Sequence, residues 1–77
     1  MISVCQIKAA RSLLGWSAAD LAKHSDVGVA TIRRYEAQNG IPDANVSVLK
    51  KIKESLENKG VEFTGDPLKN PGVTLHL

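Results

Sequence analysis

The chain announces the start of a helix twice, close enough together to impose a tight turn between short helices. At the first start Ser3 is a capping residue and Gln6 stands three positions on, where a capping-box partner belongs. Ile2 and Ile7 hold the flanking apolar positions that staple the entering chain to the first turn. The second start, 14 residues later, repeats this grammar with Ser17 as cap, Asp20 as a shorter capping-box acid, and Trp16 and Leu21 as the staple. Gly15 lies between them and supplies the left-handed stop that a helix end needs. A helix is therefore expected over Ser3–Leu14, with Val4, Ile7, Ala10, Arg11 and Leu14 along its inner stripe and Lys8 and Ser12 outward. A second is expected over Ser17–Ser25.

The chain of 77 residues has room for one modest core. It is 43% hydrophobic and 23% charged, which is globular rather than disordered. The single cysteine, Cys5, excludes an internal disulfide and is expected to be a small buried apolar group. No pair of cysteines and no cluster of histidines offers a metal site, so packing alone must hold the fold, and no cofactor is expected. No apolar run reaches membrane-spanning length and the N-terminus lacks signal-peptide organisation, so a cytoplasmic protein without membrane attachment is expected. The formal net charge of +2 permits a polyanionic partner without demanding one. Catalysis needs a nucleophile, a base and a pocket brought together. His24 and His76 lie far apart with no acid motif beside them, and so small a core leaves little room for a cavity, so no enzyme is expected.

Beyond a break at Asp26-Val27-Gly28, a third helix is expected over Val29–Ala37, with Ile32 inward and Tyr35 and Glu36 beside it. Gln38–Asp43 has loop composition. A fourth helix is expected from Asn45 to Lys59, burying Val48, Leu49, Ile52 and Leu56, turning Lys50, Lys51, Lys53, Glu54 and Glu57 to water, and closing at Gly60. Val61 and Phe63 then alternate with polar residues, as do Val73, Leu75 and Leu77, which predicts two short strands separated by a turn-rich stretch.

Within Ser17–Glu36, two short helices must cross steeply. Leu21, Val27 and Ile32 supply the apolar contact, Ala22 has to be small where backbones approach, and Asp26 falls where the turn calls for positive φ. That spacing is a helix-turn-helix. Arg11, Leu14, Gly15, Trp16, Ser17, Leu21, Ala22, Val27, Thr31, Ile32, Arg34 and Glu36 together resemble the Cro/repressor-like (XRE-type) family over about residues 2 to 64. The expected fold is mainly α, a four-helix repressor-like helix-turn-helix domain with a short C-terminal β-hairpin tail. Residues 1–60 form the DNA-binding domain and residues 61–77 the tail. The chain departs from the family pattern at Ala18, where Gln is frequent, at Asp26, where Gly is usual, and at Gly28, where a capping Ser or Thr is usual.

The resemblance implies a transcriptional regulator, a repressor, whose third helix enters the major groove while the second lies across the backbone. Helical phase points the same way: with Ile32 inward, Ala30, Arg33 and Arg34 face outward. Arg34 is the candidate for a bidentate contact to guanine and Arg33 for a phosphate contact. Val29 and Ala30 can touch a thymine methyl, and Ser17 with the free amides of its helix start can hold a phosphate. Thr31 and Asn39 complete the DNA-facing set. The resemblance further implies an ion pair between Arg11 and Glu36. The rival from another class is a helix-turn-helix adaptor, antitoxin-like, that docks on protein without reading bases; the apolar Val29 and Ala30 keep it open.

The apolar face of the tail must be covered, either by the chain's own fourth helix or by the same segment of a second chain in a continuous sheet. The second is the expectation, because one short recognition helix gives little affinity and such domains bind two half-sites of a palindromic operator as homodimers.

Overall fold

The computed structural model describes residues 1–77 and contains four helices followed by a hairpin. In order these are α1 (Val4–Leu13), α2 (Ala18–Ser25), α3 (Val29–Glu36), α4 (Val46–Glu57), β1 (Val61–Thr64) and β2 (Gly72–Leu75). The fold is thus the mainly helical helix-turn-helix architecture with a β-hairpin tail that the sequence led us to expect. No helix is long and apolar enough to cross a membrane. The helices are slightly shorter than anticipated because their outermost residues act as caps. Ser3, Ser17 and Asn45 precede α1, α2 and α4 with extended backbone, and α4 gives way two residues early, at Asn58. Asp26 takes the left-handed conformation, φ 59°, and its N–H closes on Ala22 O, so the chain turns directly out of α2 toward α3.

One apolar cluster runs through every helix. Ile2, Ile7, Ala10, Leu21, Ala22, Ile32, Tyr35, Leu49, Ile52 and Leu56 form it, and Val61 of β1 joins them. The staple residues Ile2, Ile7 and Leu21 are fully buried, so the local entry signals also nucleate the tertiary core.

The strands pair antiparallel with Val61 opposite Leu75 and Phe63 opposite Val73, which puts these four side chains on one face. That face is covered by the chain itself: Phe63, Val73 and Leu75 pack on the helical cluster, β2 against α1 and β1 against α4. A second chain is not needed to cover it. Leu77 does not belong to it either. β2 ends at Leu75, and Leu77 is fully exposed. The transition from α4 into β1 depends on Gly60, at φ +95°, where a Cβ would stand 2.4 Å from His76 O.

Gln6 locks the hairpin to α1. Its Oε1 accepts from Ser3 N–H at 3.0 Å, completing the capping interaction. Its Nε2 reaches across the molecule and donates to Thr64 O at 3.2 Å and Gly72 O at 3.1 Å, the far end of both strands. This buried amide therefore satisfies both of its ends. Gln6→Leu leaves Ser3 N–H without its partner and frees the hairpin end. It should lower unfolding free energy by about 1–3 kcal/mol, with faster amide exchange in β1 and β2. A urea midpoint equal to that of the parent would show that these bonds add nothing.

Candidate nucleic-acid interface

α3 is amphipathic over 8 residues: Ile32, Tyr35 and Glu36 are buried, whereas Ala30, Arg33 and Arg34 are exposed. What fixes its orientation is a two-pronged ion pair. Arg11 Nε donates to Glu36 Oε2 and Arg11 Nη2 to Glu36 Oε1, both at 2.9 Å, while Arg11 Nη1 donates to Trp16 O at 2.9 Å. The Glu36 side chain is 9% exposed and that of Arg11 22%. The end of α1, the turn before α2 and the last turn of α3 therefore meet at one guanidinium, as expected for this pair.

With Glu36 held inward, the outer arc of α3 carries the two arginines. The ion pairs of the molecule are Arg11–Glu36 and Lys50–Glu54, and Glu62 Oε1 lies within hydrogen-bond distance of His76 Nε2, so Arg33 and Arg34 have no acidic partner. The Arg34 guanidinium carbon lies 5.6 Å from the Tyr35 ring centroid, which steadies it without consuming its N–H donors. At the start of α3, the Val29 and Ala30 amides have no internal acceptor, and Gly28 caps with backbone alone. The positive end of a helix is thus left open beside the exposed Ala30 methyl. Val29 divides its side chain between this surface and the core, on which it packs. Thr31 is half-buried.

Ser17 is less free than the sequence suggested. Its N–H donates to Asp20 Oδ2 at 2.8 Å and its Oγ accepts from Asp20 N–H at 3.1 Å. The helix-start amides left unpaired are those of Ala18 and Ala19. Hydrogen bonds from the Ser17 backbone N–H, and then from its side chain, hold the Asp20 carboxyl below the usual carboxylate range. Asp20 is therefore a fixed negative charge on the first turn of α2, and the exposed Asp26 adds another acidic group in the following turn. Both oppose a polyanion, so the cationic side chains of α3 must outweigh them.

Asn39 lies on the loop that follows α3. Val4 N–H donates to Gly40 O at 2.8 Å, which ties the loop after α3 to the first turn of α1. Asn39 is exposed there, on a shallow cavity of about 270 Å³ shared with Ser3, Lys8 and Leu68. Cys5 lines the same cavity and is exposed, not buried; its Sγ lies 3.2 Å from Ser3 Oγ. One further feature had no signal in the sequence. The rings of Trp16 and His24 stack in parallel, centroids 4.1 Å apart and planes 4° from each other, bracing the two ends of α2. The spacing of 8 residues across a helix start is not a side-chain pair that helical periodicity alone picks out.

Short helices crossing at a left-handed turn, with an open helix start and a free basic arc on the second of them, define a helix-turn-helix domain. The family model described as helix-turn-helix matches residues 7–61, more than half of the 77, and the chain belongs to that Cro/repressor-like, XRE-type family. The family is one of DNA-binding regulatory domains and not of enzymes. No curated protein and no solved structure matches the chain.

The ion pair gives a direct test of how the interface is held. Arg11→Met or Glu36→Met alone strands a charge against the core and should cost about 3–5 kcal/mol in unfolding free energy. The double substitution, which strands none, should cost clearly less than the sum. Additive losses in a double-mutant cycle by chemical denaturation would show that the two groups act independently.

Proposed function

We propose that this chain is a sequence-specific DNA-binding transcriptional regulator that reads the major groove with α3. The observation that carries this reading is the pairing pattern of the arginines. Arg11 is held inward by Glu36 and Trp16 O, whereas Arg33 and Arg34 stand exposed on one helix without acidic partners. Unpaired guanidinium groups on a helix of groove-filling width suit the oxygen and nitrogen acceptors of guanine and phosphate.

Arg34 is the base reader and Arg33 the phosphate ligand. Ala30, and Val29 in part, offer apolar contact to a thymine methyl, with Thr31 beside them. Ser17 and the amides of Ala18 and Ala19 face the backbone. Asn39, on its separate loop, is at most a peripheral backbone contact.

α3 spans 8 residues, about 12 Å, so one chain covers roughly four base pairs. That is too little sequence for a unique site. A two-fold homodimer on a palindromic operator doubles it and matches the symmetry of such sites. Occupying that operator is enough to block transcription, so repression is the mode we propose; it asks nothing of the protein beyond bound duplex.

Selection of binding sites from random duplexes tests this reading. Arg34→Ala should cost about 1–3 kcal/mol on the preferred site and relax selection at one position in each half-site. Arg33→Ala should weaken all sequences alike and make the salt dependence shallower. An unchanged affinity and selected motif after Arg34→Ala would overturn the assignment of α3 to the groove.

A further inference from the structure

The first two turns of α4 carry an apolar surface that the core does not use. Val46, the first residue of the helix, is 68% exposed, and Met1 is 70% exposed. They are the only two exposed large apolar side chains that share a cavity, a groove of about 290 Å³ between the N-terminal segment and α4. Ile2 and Leu49, both buried, form its floor, and Lys50 and Lys53 complete its lining. Val46, Leu49, Lys50 and Lys53 follow the spacing of one helix face, so the groove runs along two turns of α4, about 10 Å.

The charges around this groove are of one sign. No acidic residue lines it. Lys53 has no acidic partner, and Lys50 meets only Glu54, at 3.9 Å with both side chains largely in water, where such a contact is worth little. Lys53 is half-buried, as a lysine is when its stem lies along apolar surface and its ammonium stays free. Such a surface selects its occupant. Duplex DNA brings anions but no apolar group to reach Ile2 and Leu49. A bilayer meets protruding apolar side chains, whereas half of the apolar lining here lies at the bottom of a concavity. A second copy placed about a two-fold axis would set the lysines against their own equivalents. What fits both lining and charge is an apolar side chain carried between carboxylates.

We propose that this groove docks an acidic amphipathic helix of a different protein. Its apolar stripe lies on Ile2, Val46 and Leu49, and Asp or Glu residues on its flank pair with Lys50 and Lys53. Docking of a helix by its apolar face into a groove is a recurring mode of recognition, and two turns of α4 match the length over which such a stripe makes its anchors. The apolar floor supplies affinity. The lysines fix the orientation of the incoming helix and reject a basic one. None of the groove residues belongs to the set assigned to DNA, so this inference stands apart from the DNA-reading proposal. With both in place, a chain seated on its operator through α3 holds a second protein there.

The test uses the full chain and a synthetic helical peptide with leucines along one face and glutamates on both sides of them. Fluorescence anisotropy of the labelled peptide should give a dissociation constant on the order of 100 μM or tighter. Amide signals shifted on binding should cluster at Ile2 and Val46–Lys53. The same peptide with lysines in place of the glutamates should bind about tenfold more weakly or worse. Val46→Ser should weaken the acidic peptide by a similar factor, and Lys50→Glu with Lys53→Glu should reverse the preference between the two peptides. None of these three side chains is buried, so the thermal unfolding midpoint should stay near that of the parent, and Val46→Ser should leave duplex affinity unchanged. Equal binding of both peptides, indifference to Val46→Ser, or no binding at concentrations on the order of 1 mM overturns the proposal. Three other outcomes overturn it by assigning the patch elsewhere: to a membrane, if phosphatidylserine vesicles bind through these residues and the peptide does not; to a second copy, if Val46→Ser abolishes self-association in sedimentation; to DNA, if Val46→Ser lowers duplex affinity.

Discussion

The bidentate bond between Arg11 and Glu36 is the constraint on which the presentation of α3 depends. A carboxylate as buried as Glu36 is tolerated only with a partner of fixed geometry. The planar fork of arginine supplies that geometry and has an N–H left for Trp16 O, which lysine could not match with the same directionality. One side chain thus sets the distance between α1 and α3 and the path of the chain into α2. Once Glu36 points inward beside Ile32 and Tyr35, helical phase leaves Arg33 and Arg34 no direction but outward. The contrast between one arginine paired with a carboxylate and two unpaired ones separates the scaffold from the surface.

The hairpin extends the same logic to the other side of the molecule. A two-stranded sheet is marginal in water, and here it survives because its apolar face completes the helical core and its far end is held by the Gln6 amide. Face and edge are different demands. The helices meet the first within one chain; along the second, the outward main-chain groups at Val73 and Leu75 have no hydrogen-bond partner in the chain.

What could be read from the amino-acid order was local or periodic. Caps and staples placed α1 and α2 to within a residue, and the left-handed turn at Asp26 followed from its position between apolar anchors. The ion pair came from resemblance to a family, since nothing in periodicity alone joins residues 25 apart. What stayed hidden was side-chain chemistry acting at long range. Gln6 has two ends, and its capping role showed only one; the other meets strands 58 and 66 residues away. The loop that holds Asn39 follows α3 closely in sequence, and the bond from Val4 N–H to Gly40 O also ties it to the first turn of α1, which the sequence did not signal. Cys5 falls between buried neighbours, and only the phase of α1 against the hairpin turns it to solvent. Alternation put Leu77 in phase with Val73 and Leu75 but could not say where the strand would end.

The central claim is that the basic arc of α3 meets a polyanion. Its most direct measurement is the salt dependence of binding to duplex DNA. The account predicts that the logarithm of the association constant falls linearly with the logarithm of salt concentration, with a slope of about −0.9 for each phosphate contacted. Negligible binding at low salt, or binding indifferent to salt, would contradict it and leave the helix-turn-helix as a surface for docking on protein.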